Sequence, residues 1–452
     1  MRLMRAHLPV EMLAFWLVEF VLGVAMFYAL LVPAGAAAGL DMGAVNRAAI
    51  LALSLGVGAA LAGLYRPEIV IEARQLVGST LTGGLLAFPL MFLGAYALDP
   101  TFRVGVQGNG LAVVKVLVAW LVLLLVTRMT LRYALARGWF LRTVLIVGSP
   151  NDAAGLAAAI QGHRPGFIRI GGVVPASALP DLLATRSRGR FGRHKLWGVV
   201  VTRAARAEVP VGALMARRHD SPVLFGEADF RESRLRRLDI DHLDPDWLLY
   251  ADRFGRSRIG QIMHRTVDIV GAVLLLVVSL PVMLATAMAI RLEDGKPILY
   301  RQVRVGRDGR TFTVYKFRSM RVDAEARGAV WAAERDPRVT RVGAIIRRLR
   351  IDELPQILNV LAGDMALVGP RPERPEFTSE LADRIPGYAD RLSVKPGITG
   401  WAQVSAPYAA SIDDVRIKLS YDLYYIKNRS LLLDFLILAS TVRVVLFREG
   451  SR

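Results

Sequence analysis

The sequence predicts a membrane protein of mixed fold class in three parts. These are a four-helix transmembrane bundle (1–140), a Rossmann-like α/β domain (141–250) and an α-rich α+β domain that begins with a further apolar helix (251–452). Three observations predict it. Four apolar segments of near-membrane length crowd the first third of the chain, and buried-type strands alternate with a helix in the middle. A last apolar run near 266–292 then leads into a basic stretch dense in motifs. With 53% hydrophobic residues and a mean hydropathy of +0.38, the chain is more apolar than an ordinary soluble domain.

The first four segments, roughly 10–32, 48–64, 76–98 and 111–131, each approach the ~20 residues a helix needs to cross a ~30 Å hydrocarbon core. No small-residue cleavage site follows the first, so it reads as retained. Glu19 and Lys115 lie within or near these spans, where such groups face neighbouring helices or reach for the interface. Arg2, Arg5, Arg66, Arg74, Arg128, Arg132, Arg137 and Arg142 flank one side of the bundle, against only Arg47 and Arg103 on the other. The positive-inside rule therefore puts both ends of the bundle in the cytoplasm. The formal charge of +19 suits an anionic membrane surface or nucleic acid, and the apolar runs decide for the membrane. With no cysteine in the chain, disulfides, thiolate metal sites and thiol catalysis are excluded.

In the second part, "RTVLIVGSP" reads as a buried parallel strand running into a glycine turn, and "NDAAGLAAAI" as the helix after it. "FIRIGGVV", "LWGVVVT" and "SPVLFG" supply further strands of a small open sheet. The turn Gly148-Ser149-Pro150 has one glycine where a dinucleotide fingerprint has a spaced set, and no acid closes the second strand. The expectation is a structural or regulatory domain without a working NAD site.

The third part opens with a basic linker, about 251–265, and the run "TVDIVGAVLLLVVSLPVMLATAMAI". Ser279 and Pro281 fall near its middle, and a proline removes a donor and clashes with the preceding turn, so a kink is expected there. A single crossing would put everything after residue 292 outside the cell, which a last domain working on cytoplasmic substrates could not accept. A segment that dips in and returns avoids this.

Beyond it, "YRQVRVGRDGRTFTVYKFRSMR" offers Arg301, Arg304, Lys316, Arg318 and Arg321, and its alternation predicts a hairpin with its cations on one side. A solvated or lipid-facing basic surface is the plainer reading. "LRIDELPQILNVLAGDMALVGPRP" then sets Asp352 and Glu353 after Arg347, Arg348 and Arg350. Leu354, Ile357, Leu358 and Leu361 follow at helical spacing, and Pro355 suits a first turn, so Asp352 reads first as an N-cap. Three features point further, to a metal-assisted phosphoryl-transfer site. The arginines would lower carboxylate pKa values and attract phosphate. A helix N-terminus favours anions. Arg371, bracketed by Pro370 and Pro372, is a rigid guanidinium suited to bidentate phosphate binding.

"YKFRSM", "DELPQILNVLAGDMALVGPRPERPEF", "KPGITGWAQVS" and "SYDLYYIKNRSLLLDFLIL", in this order over about 260–447, resemble the bacterial sugar transferases, the monotopic phosphoglycosyl transferases. The front end resembles the large members of that family used in exopolysaccharide and O-antigen synthesis. The resemblance implies transfer of a hexose 1-phosphate from a UDP-sugar to undecaprenyl phosphate or another polyprenyl phosphate, with release of UMP. Asp352 would be the nucleophile and Glu353 its partner in an Asp-Glu dyad, with Mg²⁺ on these carboxylates. Arg371 would clamp phosphate, with Arg318, Arg350 and Lys316 as further phosphate-binding candidates and Asp422 as an additional site acid. The apolar run becomes a re-entrant helix broken at Ser279 and Pro281. The C-terminal run around Asp434 and Arg443 lies at the membrane interface.

Two other functions are weighed. A membrane-bound nucleotide-sugar dehydratase or oxidoreductase would need a full glycine fingerprint and a Tyr-x-x-x-Lys pair, neither of which is present. A non-catalytic scaffold for polysaccharide assembly would not need the intact dyad and clamp loop. Glucose, galactose and N-acetylated sugars are all open, and the reading leans to glucose or galactose. Membrane lipids are the other expected partners, nucleic acid is not, and a homo-oligomer is compatible with the sequence.

Overall fold

The computed structural model describes residues 10–31, 41–65, 76–85, 87, 110–137, 142–162, 168–179, 190–191, 194–209, 223–240, 243, 247, 257–322, 338–406 and 411–447. The chain divides into two compact units, Met1–Arg236 and Arg237–Arg452.

In the first unit, helices α1 (Val10–Leu31), α2 (Met42–Leu61), α3 (Leu76–Leu85) and α4 (Gly110–Ala136) fall on the four apolar segments. Apart from Ala87, the rest of the third segment lies outside the described residues, as do Arg2, Arg5, Arg66, Arg74 and Arg103. Two stretches here, Met42–Ala60 and Val114–Ala134, are long and apolar enough to cross a membrane. Their outward positions are exposed aliphatics such as Leu53, Val118, Val122 and Leu125, while Phe27, Leu55, Trp120 and Leu124 pack inside. Arg128 corrects the charge pattern read from sequence. It does not follow the fourth helix but lies inside α4, 1% exposed, and its guanidinium grips the Glu19 carboxylate. Tyr65 and Thr127 donate to the same carboxylate, and Arg128 stacks over the Tyr65 ring. Each charge is thus neutralised by hydrogen-bonded partners, as burial away from water requires.

The α/β part follows the sequence closely. Strand β1 (Arg142–Val147) leads to α5 (Pro150–Gly162), then β2 (Ile168–Val174), the short β3 (Arg190–Phe191), β4 (His194–Val201) and β5 (Val223–Gly226). β1 runs parallel between β2 and β4, and β5 pairs parallel to β4. β3 turns back on the start of β4. Because β1 has neighbours on both edges and a core on each face, its "VLIV" needs no polar alternation.

The first long helix of the second unit is α6 (Arg258–Asp294), of 37 residues and capped by Ser257. It is also long and apolar enough to cross a membrane. The expected break at Ser279 and Pro281 does not interrupt it. The helix is continuous, and the Ser279 hydroxyl turns back toward the Leu276 carbonyl within the turn ahead of the proline. Gly260, His264, Asp268, Ala272, Ser279, Thr286 and Ile290 form one buried stripe along its length, between exposed aliphatics such as Leu274, Val278 and Leu284.

After α6 come β6 (Leu299–Val305) and β7 (Thr311–Phe317), paired as the expected antiparallel hairpin. Then follow α7 (Arg341–Arg348), a 3-10 turn over Ile351–Gln356, α8 (Ile357–Ala362) and β8 (Ala366–Val368). The chain ends with α9 (Pro375–Arg384), β9 (Gly397–Thr399), α10 (Trp401–Ser405), α11 (Ile412–Lys427) and α12 (Leu431–Phe447). β8 and β9 pair in parallel. Val360, Met365, Trp401, Leu423, Tyr424 and Ile437 anchor one core, to which α6 contributes Ala272.

Candidate active site

The site is built around the turn that carries the two acids. Arg350 adopts a left-handed conformation (φ 58°), ending the reach of α7 and opening the 3-10 turn. The helix therefore does not start at Asp352, and the expected cap is not made. Asp352 Oδ1 is buried and finds no hydrogen-bond partner among the described residues. The mixed 3-10 and α winding also changes which positions face inward. Ile357 is buried, Leu354 and Leu361 pack against the core, and Leu358 turns out to solvent. In its place the fully buried Asn359 faces inward. Its side-chain amide donates to Thr313 O at 2.7 Å and accepts from Tyr315 N at 3.2 Å, standing in for a neighbouring strand along β7.

This pairing fixes β7 against the acid-bearing turn and delivers Lys316. Its Nζ lies 3.2 Å from Glu353 Oε1, the same oxygen that receives Arg371 Nη2 at 2.6 Å and has Arg350 Nη1 at 3.8 Å. Burial alone would push the Glu353 carboxyl up, but Arg371, Lys316 and Arg350 together hold it well below the usual carboxylate range. Glu353 in turn is the main cause that keeps Arg371 firmly charged. Asp352 behaves oppositely. Burial first, then the Glu353 charge, push its carboxyl above the ordinary range, with Lys316, Arg350 and Arg371 pulling against them. The arginines were expected to lower both acids, and they prevail only at Glu353, where they make direct bonds. Burial lowers the Lys316 ammonium, with Glu353 opposing and Arg371 adding to the effect.

The loop of Arg371 is held through its carbonyls, since Pro370 and Pro372 have no N–H to give. Pro370 O accepts from Gly397 N at 3.0 Å, Arg371 O from Arg391 Nη2 at 2.9 Å, Pro372 O from Arg304 Nη1 at 3.1 Å and Glu373 O from Val305 N at 3.0 Å. Gly369 and Gly397 make this approach possible, because a Cβ on Gly397 would sit 2.1 Å from Gly369 N.

The hairpin cations do not share one side. Lys316 reaches Glu353, and Arg304 reaches Gln302, Pro372 and Glu373. Arg301 lies over the Tyr315 ring. Arg318 bonds Asp294 and the Gly295 carbonyl at the end of α6. Asp422 is 2% exposed and pairs with Arg391 at 2.9 Å. Asp434 is buried as well, accepting from Tyr425 and bonded to His264 on α6. The Arg443 side chain lies outside the described residues.

Thus Asp352, Glu353, Lys316, Arg350 and Arg371 come together, and Arg318 and Asp422 do not join them directly. Sequence reading missed Arg391, Asn359 and Glu373, and placed Arg304 only among the hairpin cations. Asn359 left a signal, a lone polar residue within "ILNVLA", whereas Arg391 in "YADRLS" left none. Among the described residues no group of three or more His, Asp or Glu side chains could hold a metal. The two adjacent carboxylates with one unpartnered oxygen still fit Mg²⁺, which takes one or two protein carboxylates and fills its shell with water and substrate phosphate.

The profile of the family described as bacterial sugar transferase matches residues 259–448. The chain is 44% identical over 256 residues to the UDP-N-acetylgalactosamine-undecaprenyl-phosphate N-acetylgalactosaminephosphotransferase of Aeromonas hydrophila, which is 57% of each chain. It is 40% identical over 188 residues to the UDP-glucose:undecaprenyl-phosphate glucose-1-phosphate transferase of Escherichia coli, covering 41% of this chain and 40% of that one. With the protein of the same description from Caulobacter vibrioides it shares 42% over 192 residues, 42% of this chain and 72% of the other. The matched part thus spans about half the length of the first two relatives and nearly three quarters of the third. At that identity and coverage, with the acid turn and the clamp loop both inside the matched region, the chain belongs to the bacterial sugar transferase family.

Proposed function

We propose that this protein transfers a hexose 1-phosphate from a UDP-sugar to undecaprenyl phosphate, releasing UMP, through a covalent aspartyl intermediate. The observation that carries the reading is the unpartnered, buried Oδ1 of Asp352 beside a carboxylate already neutralised by Arg371 and Lys316. Asp352 attacks the sugar-linked phosphorus, the bond from that phosphorus to the bridging oxygen breaks, and UMP leaves with the electron pair. An oxygen of the lipid phosphate then attacks the same phosphorus, freeing the Asp352 carboxylate and giving polyprenyl-diphosphate-sugar. A carboxylate nucleophile splits one difficult displacement into two. Arg371, Lys316 and Arg350 neutralise phosphate oxygens as charge shifts between them. Bound Mg²⁺ would supply further neutralisation of the diphosphate from Asp352 and Glu353.

The site then belongs on the cytoplasmic face of the bacterial inner membrane, where nucleotide sugars are made. An α6 with both of its ends on one face fits this placement. Its first turns bond α8 and β8 through Arg265 and Asp268, and its last residues bond Arg318 and the start of α7. Both ends of a helix about 55 Å long by its residue count are thus tied to the same compact unit. The parallel order β2-β1-β4-β5 supports the Rossmann-like assignment of the middle domain.

The sugar has two readings. Glucose or galactose follows the sequence leaning, and the glucose transferases among the relatives support the first. The name of the Aeromonas protein supports N-acetylgalactosamine as the second. Purified protein with Mg²⁺, undecaprenyl phosphate and a panel of UDP-sugars tests both by UMP release. One donor is expected to be turned over, and Asp352→Asn is expected to lose at least about 1,000-fold. Turnover of no donor, or full activity in Asp352→Asn, contradicts the reading.

A further inference from the structure

We infer that Asp422 and Arg391 are positioning residues that set the phosphate clamp by holding the main chain of Arg371, and that neither touches substrate. The inference rests on the transferase reading above and concerns how one part of that site is kept in place.

Asp422 looks like a site acid from sequence, yet it is 2% exposed and its Oδ2 is spent on Arg391 Nη2 at 2.9 Å. Arg391 looks like a phosphate ligand by residue type, yet it is 4% exposed. Its Nη2 also donates to Arg371 O at 2.9 Å, and its Nη1 to Tyr388 Oη at 3.0 Å. The guanidinium lies over the Tyr388 ring, 5.1 Å from its centroid. A planar fork with this many fixed partners has one orientation, which is what distinguishes arginine from lysine at such a place. The bond to Arg371 O matters because flanking prolines leave the loop no amide donors at 370 and 372. Orientation of the Arg371 side chain toward Glu353 therefore depends on what holds the carbonyls. Arg304 holds the next carbonyl, and Glu373 stands beside Arg304 as its carboxylate partner at 3.6 Å. Asp422 plays the matching part for Arg391: it keeps a buried cation in place whose task is to donate to a peptide oxygen.

A double-mutant cycle on the full-length protein tests this, with UMP release read at varied donor and acceptor. Asp422→Asn is expected to lower kcat/KM by on the order of 100-fold through a misplaced clamp, with thermal unfolding still cooperative. Arg391→Lys, which keeps the charge and loses the fork, is expected to stay impaired. In an Arg371→Lys background, where the clamp is already lost, adding Asp422→Asn is expected to cost little more, since residues acting as one unit are not additive. Full additivity of the two losses overturns the inference, as does wild-type activity in Arg391→Lys or in Asp422→Asn. Should Asp422→Asn not fold, Arg391→Gln enters the same cycle under the same criteria. A wild-type protein that turns over no UDP-sugar defeats the transferase reading instead, and is seen before any variant is made.

Discussion

Asp352 and its neighbour Glu353 carry charge under opposite constraints, and pH separates them. A carboxyl whose folded pKa is raised favours the fold when protonated, and that contribution is lost as pH rises through the folded value. Above that value the ionised Asp352 therefore weighs against folding. Asp352→Asn is expected to unfold later than wild type, by about 1 kcal/mol, while losing activity; an unchanged or lower stability by calorimetry contradicts this. Glu353 has the reverse sign. Its depressed pKa gives stability that is present above the ordinary carboxylate range and lost as pH falls through the folded value. Glu353→Gln leaves Arg371 and Lys316 without their shared partner and is expected to cost about 3 kcal/mol at neutral pH, as broken buried pairs do. Because Glu353 is also one cause of the raised Asp352 pKa, the same variant is expected to move the acidic limb of its residual activity to lower pH. An acidic limb at the wild-type position, or one moved upward, would remove the coupling between the two acids.

At the scale of elements, Asn359 joins the acid-bearing turn to the lysine-bearing strand. Asn359→Leu keeps the branched shape at larger volume but leaves Tyr315 N and Thr313 O without their side-chain partner. It is expected to destabilise by about 2–3 kcal/mol and to raise the donor KM as Lys316 moves; urea unfolding with UMP assays checks both. This joint also shows why reading the elements from sequence went only part of the way. The strand "VLIV", the hairpin around Asp308 and the long apolar helix were legible because periodicity and turn residues are local signals. Winding of the acid turn was not, because no local residue signal marks the left-handed Arg350 or the 3-10 geometry, which sits beside β7. Asp352, Glu353 and Arg371 stood out as acids among cations and as a cation between prolines. Arg391 and Asn359 serve through partners far along the chain, and nothing near them in sequence announces that.

For the molecule as a whole, the buried Glu19–Arg128 pair is the clearest tie within the first unit. Glu19→Gln leaves a guanidinium among apolar helices with amide and hydroxyl partners only, and is expected to cost about 3 kcal/mol in thermal unfolding of the detergent-solubilised protein. No change in kcat is expected; a fall in kcat at unchanged stability would give Glu19 a part in turnover. The second unit has a different dependence. Ile290 of α6 packs with Phe317 and Ile346, and Ile351 lies against that cluster, one residue before Asp352. The apolar helix and the nucleophile are therefore mechanically continuous. Under the proposed reaction the acceptor lipid shares the sheet of lipid in which that helix sits, so encounter becomes a search over an area. The second half-reaction then follows surface density, the mole fraction of undecaprenyl phosphate among other lipids, and dilution with inert lipid slows it even when the total amounts in the tube are unchanged.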